Sequence, residues 1–263
     1  PNNWLYKEFF RVVKLIKPLP EWIVFENVKG FSTTKSGIFV NKVIKELEIL
    51  GYTVSHSILN AADYGVPQKR KRFFIIASRK GIEFSFDSIK KVKKPITVKE
   101  AFDDLPYLRM GNKKNVKKYR KNPSSDFAEK MRRKLNESEN HLVTDNTELV
   151  LKRYKYIAQG GIWENITKRL MKSYIDSSRC HSGIYHRLNM KEPSVVIGNY
   201  RKNMLIHPSQ NRGLSVREAA RLQSFQDMYV FKGTINSQQQ QVGNAVPPVL
   251  SQKIFCLIQE NSR

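Results

Sequence analysis

The chain has 263 residues, 40% of them apolar and 11% aromatic, which is enough for a globular core of one or two domains and excludes wholesale disorder. Its 47 lysines and arginines against 23 aspartates and glutamates leave a net charge of +24, which favours a polyanionic partner, nucleic acid first. Two distant cysteines exclude a disulfide framework and a four-cysteine zinc site, and no apolar run approaches the roughly 20 residues that span a bilayer. We therefore expect an intracellular protein with no membrane partner.

The first eighty residues have the apolar spacing of an α/β sheet. Helices are predicted over residues 4–17 and 36–50, and strands from Trp22, over 53–59 and over 72–78. Apolar strands separated by amphipathic helices are typical of sheets that are covered on both faces. We therefore expect part of a doubly wound α/β sheet, resembling its second half.

From about residue 83 the periodicity weakens and the charge rises. Residues 109–121 contain seven basic residues and no acidic one. Such a run is usually a solvated loop, but here it lies within about a hundred residues of irregular pattern. This composition predicts a smaller, irregular, basic domain.

Helical spacing returns near the C-terminus. Residues 215–225 form a predicted helix, with Ser215 and Glu218 as a capping box, and residues 249–258 form another. Four glutamines, residues 238–241, are interpreted as a linker between them.

A carboxylate follows the first predicted strand. Glu26 lies where the Trp22 strand ends, and the carboxyl ends of strands in an open α/β sheet face the ligand crevice. If this residue is considered alone, an ordinary surface glutamate at the start of a loop is a better explanation than a ligand-binding glutamate.

Two arginines enter the strand at residues 72–78. Because side chains alternate along a strand, Arg70 and Arg72 are predicted to project together, and Lys69 and Lys71 to the other side. Paired guanidinium groups suit a phosphate, a carboxylate or the edge of a base. A solubilising charge cluster is an equally good explanation of these residues alone.

Two further segments near the C-terminus are less specific. Gly243 allows close backbone approach and Asn244 offers both a donor and an acceptor, although a helix-entry turn explains them as well. Arg217 and Arg221 lie one helical turn apart, a spacing that an exposed helix face explains without any function.

Taken together and in this order, these segments resemble the cytosine-specific C5 DNA methyltransferases. The resemblance covers nearly the whole chain. It is carried by Glu26-Asn27-Val28, Gln68-x-Arg70-x-Arg72, Arg212-x-Leu214-x-x-Arg217-Glu218-x-x-Arg221-Leu222-Gln223 and Gly243-Asn244-Ala245-Val246-Pro247.

The resemblance implies a fold and a division of the chain. It implies an α/β fold consisting of the second half of a Rossmann-like methyltransferase sheet and a smaller, irregular target-recognition domain. Residues 1–82 would belong to the catalytic domain, 83–235 to the DNA-binding domain and hinge, and 236–263 to a segment that returns to the catalytic domain and its cofactor site.

The resemblance also implies roles for single residues. Glu26 would hydrogen-bond N3 and the amine of a flipped cytosine, Arg72 would hold its carbonyl oxygen, and Arg70 would position the loop or phosphate around the nucleophile. Leu5, Asn244 and Ala245 match positions that border the methyl donor S-adenosylmethionine. The residues expected to contact double-stranded DNA are Gln68, Lys113, Lys114, Lys117, Lys118 and Arg201.

Two elements of the family pattern are missing from the sequence. The family begins with a glycine-rich turn and carries a Pro-Cys whose thiolate is the nucleophile, whereas neither Cys180 nor Cys256 follows a proline. Cys256 is expected to be an inert core thiol. We therefore expect the nucleophile to come from a second polypeptide or an upstream segment, without which the chain is inactive.

Two alternatives stay open. A noncatalytic DNA-binding or regulatory relative would explain the missing nucleophile, but it would not need the cytosine-pocket residues. An RNA substrate is the other alternative, although the long basic region better suits duplex DNA. The expected compartment is the cytoplasm of a microbe, or the nucleus of a eukaryote, and the family resemblance suggests a restriction-modification system.

Overall fold

A computed structural model describes residues 5–172, 184–198, 200 and 205–262. They divide into two compact units. Unit one comprises Pro1–Ala61, Arg70–Lys91 and Ser251–Arg263, and unit two comprises Ala62–Lys69 and Val92–Leu250. No helix in these described ranges is long and apolar enough to cross a membrane.

Unit one is built on a three-stranded sheet. Its elements are α1 (Tyr6–Leu15), β1 (Trp22–Val28), α2 (Ile38–Ile49), β2 (Thr53–Asn60) and β3 (Lys71–Ser78). The strand order is β1-β3-β2, and β3 runs antiparallel to both neighbours. The expected helices and strands are present. A doubly wound sheet is mostly parallel, so the antiparallel direction of β3 departs from that expectation. Sequence did not reveal the difference, because buried parallel and buried central antiparallel strands have the same continuous apolar pattern.

One face of this sheet carries the core of unit one. Alternate residues of the strands, among them Phe25, Phe73 and Ile75, pack with Phe10 and Val13 of α1 and with the buried side of α2. The period of two in the strands and of 3.6 in the helices places these apolar groups on facing surfaces. The opposite face of β1 and β3 carries Glu26 and Arg72 together with Phe74 and Ile76, which are both buried, so β3 is covered on both faces.

Unit two has short elements separated by long irregular stretches. They are α3 (Val98–Phe102), β4 (Lys117–Lys118), α4 (Asp126–Arg132), β5 (Glu137–Ser138), α5 (Glu148–Tyr154), β6 (His186–Arg187), β7 (Leu205–Ile206), α6 (Val216–Leu222) and α7 (Ile235–Asn244). β4 pairs antiparallel with β5, and β6 pairs parallel with β7. The last helix, α8 (Pro248–Asn261), belongs to unit one from Ser251 onward. The expected irregularity of this region is thus observed.

The predicted capping box is present, but the predicted linker is wrong. Ser215 accepts from the Glu218 N–H, and the Glu218 carboxylate accepts from the Ser215 N–H. The glutamine run lies inside α7, where Gln238 and Gln239 are buried and their amides bond to the Gly233 carbonyl and to Thr144. Glutamine is a good helix former, and these hydrogen bonds permit its burial.

The unit boundaries differ from the predicted domain boundaries 1–82, 83–235 and 236–263. Residues 62–69 lie in unit two, where the Gln68 amide bonds to the backbone of that unit. Residues 83–91 lie in unit one, and residues 236–250 lie in unit two because Val242 packs in its main core. The catalytic and DNA-binding assignments of these segments stay predictions.

Candidate active site

Glu26 and Arg72 meet on the face of the unit-one sheet that is opposite α1 and α2. In the register of β1 and β3, Glu26 pairs with Phe74 and Val28 pairs with Arg72, so the glutamate and the arginine are diagonal neighbours on one face. The Arg72 Nε atom lies 3.0 Å from Glu26 Oε1. The glutamate keeps 25% of its side chain exposed, whereas Arg72 keeps 11%. The pair is therefore partly shielded and still reachable from solvent.

Burial controls the protonation of this cluster. It raises the pKa of Glu26, although the charges of Arg72 and Arg70 and the hydrogen bond from Arg72 act in the opposite direction. Burial likewise lowers the pKa of Arg72, and together with the charge of Arg72 it lowers the pKa of Arg70 to about 10. One carboxylate thus faces two cations, and the site holds its groups closer to their neutral forms than water would.

The arginine pair is oriented as its alternation predicts. Arg70 and Arg72 are buried at the start of β3, whereas Lys69 and Lys71 are exposed. The Arg70 carbonyl accepts from the Ala61 N–H, and Arg72 Nη1 donates to the Lys71 carbonyl. These bonds fix the start of the strand and hold both guanidinium groups on the side of Glu26.

A cavity of about 420 Å³ lies at the carboxyl end of β1, also within unit one. It is lined by Leu5, Tyr6, Phe9, Phe25, Asn27, Val28 and Phe31. The three phenylalanine rings offer flat apolar surfaces, and Leu5 is 65% exposed at this cavity. The predicted contact residue Leu5 therefore lines a cavity that could take a flat, partly apolar ligand.

The other two predicted cofactor residues lie at the end of α7 in unit two. Asn244 is the exposed last residue of the helix, and Ala245 follows in an extended conformation. A Cβ atom at Gly243 would lie 2.3 Å from the Gly198 carbonyl oxygen. The glycine is therefore required for the close backbone approach that the sequence predicts, although it lies in a helix rather than in a helix-entry turn.

Gln68 does not lie where its predicted contact with DNA requires. Its side chain is fully buried in unit two, its Nε2 donates to the Leu222 carbonyl, and its Oε1 accepts from the Ile197 N–H. Both ends of the amide are engaged, and a contact with DNA would break these bonds. The sequence did not reveal the burial of Gln68, because a glutamine close to two arginines also fits a charged cluster on the surface.

The predicted phosphate contacts lie on an irregular surface of unit two. Lys113, Lys114 and Lys118 are exposed, and Lys117 is half-buried in the short strand β4. Arg201 lies outside the described residues. The lysines that the structure describes are placed as a backbone-contacting surface requires, and their contact with DNA stays a prediction.

The structure corrects the prediction of an exposed arginine face on α6. Arg217 and Arg221 are fully buried, as is Arg212 before the helix. Arg221 Nη2 lies 2.5 Å from Asp227 Oδ2 and its Nη1 lies 2.5 Å from Asp104 Oδ1, whereas Arg212 donates from both Nη atoms to Glu218. Sequence spacing did not identify this network, because Asp104 is more than a hundred residues away from the helix.

The prediction for Cys256 is also wrong, because this thiol is exposed. The buried residues of α8 are Leu250, Ile254 and Ile258, spaced four apart, and position 256 lies on the other side of that stripe. Cys180 lies outside the described residues.

Comparisons with known proteins settle the family. The family model for C-5 cytosine-specific DNA methylase matches residues 1–260. The chain belongs to this family. The type II methyltransferase M1.HphI of Haemophilus parahaemolyticus is 36% identical over 255 residues, which cover 97% of this chain and 60% of that protein. The type II methyltransferase M.DdeI of Desulfomicrobium norvegicum is 33% identical, over 97% of this chain and 66% of its own length.

Solved structures show the same fold. A protein described as a prophage-encoded DNA modification methyltransferase of E. coli superposes with a TM-score of 0.76 at 24% identity, over 98% of this chain and 74% of that chain. The S. pombe Dnmt2 methyltransferase gives a TM-score of 0.57 at 14% identity, over 98% and 70%. The fold is therefore the α/β fold of DNA methyltransferases, and this chain spans about 60% of the length of its first curated relative. Members of the C-5 cytosine-specific family use S-adenosylmethionine as methyl donor.

Proposed function

We propose that this chain supplies the cytosine-binding part of a DNA cytosine-5 methyltransferase that acts on duplex DNA. The observation that carries the proposal is the Glu26 carboxyl group with its pKa raised by burial and two arginines beside it. A carboxyl group of this kind can give a proton to a ring nitrogen, and the guanidinium groups can hold a carbonyl oxygen. Cytosine presents a ring nitrogen (N3), a carbonyl oxygen (O2) and an exocyclic amine on one edge.

The chemistry follows from where charge develops. When a thiolate adds to C6 of cytosine, negative charge develops at N3. Protonated Glu26 donates to N3 while its other oxygen accepts from the exocyclic amine, and Arg72 donates to O2. Arg70, more deeply buried, is proposed to position the loop or phosphate around the nucleophile. A cytosine stacked in duplex DNA cannot reach these groups, so the base must be flipped out of the helix.

The cavity at the end of β1 fits part of S-adenosylmethionine. Its phenylalanine rings suit a flat purine and a sulfonium cation, and Asn27 provides a polar group. Leu5 is proposed to border the cofactor from this cavity. For Asn244 and Ala245, contact with the cofactor stays a prediction from the family resemblance. When bound, S-adenosylmethionine supplies the methyl group that cytosine C5 accepts, and loss of the C5 proton then restores the C5–C6 double bond and releases the thiolate from C6.

The nucleophile is proposed to come from polypeptide beyond these 263 residues, because no Pro-Cys occurs among them. Two features of unit one support such a second segment. β1 is an edge strand that pairs only with β3 among the described strands. At the C-terminal end of α1, Val12, Leu15 and the C-cap residue Ile16 are 48%, 68% and 45% exposed, beside the buried residues Phe10 and Val13. Both features suit a partner that adds a strand and covers an apolar helix face.

The type II relatives suggest a restriction-modification system and a cytoplasmic place of action. The noncatalytic alternative rests on the missing Pro-Cys alone. Mass spectrometry of proteins that copurify with the chain separates the two: a copurifying polypeptide with a glycine-rich turn and a Pro-Cys supports the enzyme. A chain that is folded, alone and bound to DNA supports the noncatalytic relative.

The decisive test replaces Glu26 in the completed enzyme. We expect Glu26→Gln to lower methyl transfer to duplex DNA by about 10²- to 10⁴-fold, the usual contribution of general acid catalysis, while DNA affinity changes little. Glu21→Gln is the matched control, because Glu21 directly precedes β1 but is exposed and paired with Lys80. Equal transfer by the E26Q variant and the wild-type enzyme would overturn the assigned role.

A further inference from the structure

A second basic surface lies in unit two, in the groove between α3 and α4. The groove has a volume of about 420 Å³. Its lining combines three lysines with short polar residues; the lysines are Lys94, Lys99 and Lys191. None of the three belongs to the basic run of residues 109–121, and none has a part in the chemistry proposed above.

The carboxylates of the groove are already engaged. Glu100 accepts from the Thr97 N–H at 2.8 Å and from the Thr97 hydroxyl at 2.6 Å, which completes the N-terminal cap of α3. Asp103 pairs with Lys121 and accepts from the N–H and hydroxyl of Ser124. Burial acts to raise the pKa of Asp103, but these bonds outweigh it and lower the pKa. The acidic groups therefore stabilise the walls and are not available to the lysines.

The three lysines, by contrast, have no such partners. Lys94, Lys99 and Lys191 are exposed. Within the described ranges, no carboxylate lies within 4.0 Å of their ammonium groups and no hydrogen bond joins those groups to another residue. The three lysines thus offer unpaired positive charges around one groove, whose carboxylates already accept hydrogen bonds. An ammonium group acts as a point charge without geometric selectivity, so such a groove suits a polyanion.

The groove is continuous with the basic run. Lys121, the last residue of the run, pairs with Asp103 in the wall of the groove at 2.6 Å. Arg120 donates to the Asp103 carbonyl and to the Tyr107 hydroxyl. One polyanionic chain that lies along the run can therefore enter the groove past Asp103, whose charge is offset by Lys121.

We propose that Lys94, Lys99 and Lys191 bind backbone phosphates of duplex DNA and extend the phosphate-binding surface of unit two beyond residues 109–121. The proposal rests on the proposed function for its choice of DNA as the polyanion. Contacts of this kind hold the duplex in register and add affinity that depends on salt, without choosing a sequence.

The test is the salt dependence of binding to a duplex, measured on the chain together with any polypeptide that copurifies with it. Each phosphate that a protein cation neutralises contributes about 0.9 to the slope of log K against log salt concentration. We expect the triple variant K94A/K99A/K191A to show a slope smaller by about 1 to 3, with weaker binding at every sequence tested. The charge-retaining triple K94R/K99R/K191R should restore the slope.

The matched control removes the same charge elsewhere. Lys45, Lys155 and Lys168 are exposed and have no ion pair with a described residue, so K45A/K155A/K168A reports the effect of net charge alone. A slope for the groove variant equal to that of this control would overturn the groove proposal. A wild-type protein that binds no duplex would overturn the DNA partner of both proposals. If the groove variant shows a reduced slope but the wild-type protein transfers no methyl group, the groove proposal is supported and only the proposed function is overturned.

Discussion

Glu26 and Glu218 both face arginines, yet their pKa values move in opposite directions. For Glu218, burial acts to raise the pKa, but the charge and two hydrogen bonds of Arg212 and the Ser215 N–H outweigh it and lower the pKa to about 2. For Glu26 burial wins, because the charges of Arg72 and Arg70 and the hydrogen bond from Arg72 do not outweigh it. The balance between burial on one side and the arginine charges with their hydrogen bonds on the other decides the direction for each glutamate.

The same contrast separates two groups of arginines. Around α6, Arg212 and Arg221 meet carboxylates in two-pronged pairs, and Arg217 donates to the carbonyls of Glu139 and Tyr229. At the sheet of unit one, Arg70 and Arg72 both act on the Glu26 carboxylate. A fully compensated network is typical of a structural role, whereas a cluster with perturbed pKa values beside a cavity is typical of a functional site.

The largest effect is expected from breaking the compensated network. Arg221→Met should lower the free energy of unfolding by about 3–5 kcal/mol, because the buried Asp104 and Asp227 would lose their shortest ion pairs and keep only Arg132 at 3.6 Å and Arg217 at 3.8 Å. Denaturant unfolding of the purified protein measures this loss. A loss below about 1 kcal/mol would show that the α6 network does not have the structural role assigned to it.

A second effect concerns acid stability. The pKa of Glu218 is lowered from 4.5 to about 2, so its ionised form contributes stability above pH 4.5 that is lost as the pH falls from 4.5 to 2. The contribution is on the order of 3 kcal/mol. Between pH 4.5 and pH 2, the free energy of unfolding should therefore fall less with pH for Glu218→Gln than for the wild type. Denaturant unfolding at several pH values measures this difference. Identical pH dependence of both proteins would contradict the assignment.

A smaller effect on stability is expected at the functional cluster. Glu26→Gln should change the free energy of unfolding by about 1 kcal/mol or less, since the lost ion pair is offset by the removal of a partly buried charge. This small change, beside a large loss of methyl transfer, would separate a catalytic from a structural role. A loss as large as that for Arg221→Met would place both clusters in the same structural class.

The smallest effect is a shift in the titration of Glu26 itself. Arg72 lowers the pKa of Glu26 both by its charge and by its hydrogen bond, so Arg72→Gln should raise this pKa further above its ordinary value. Carbon-13 NMR of the Glu26 carboxyl group measures the shift. A lower pKa in the variant would contradict the lowering effect assigned to Arg72.

The sequence by itself determined the local elements and the family. Apolar periodicity placed α1, β1, α2, β2 and β3 within a few residues, and the spacing of Ser215 and Glu218 predicted their capping box. The alternation of Arg70 and Arg72 in strand β3 was also predictable. These features depend on residues that are close in the chain, where side-chain direction follows from the backbone geometry.

Only the tertiary structure decided which polar residues are buried and what they meet. Arg217 and Arg221 have the spacing of an exposed helix face, but carboxylates and carbonyls from distant segments bury them. Gln68 is interior because its amide meets two distant backbone groups, and Cys256 is exposed because α8 buries a different stripe. Compensation of a buried polar group needs partners from elsewhere in the chain, and the spacing within one segment does not identify them.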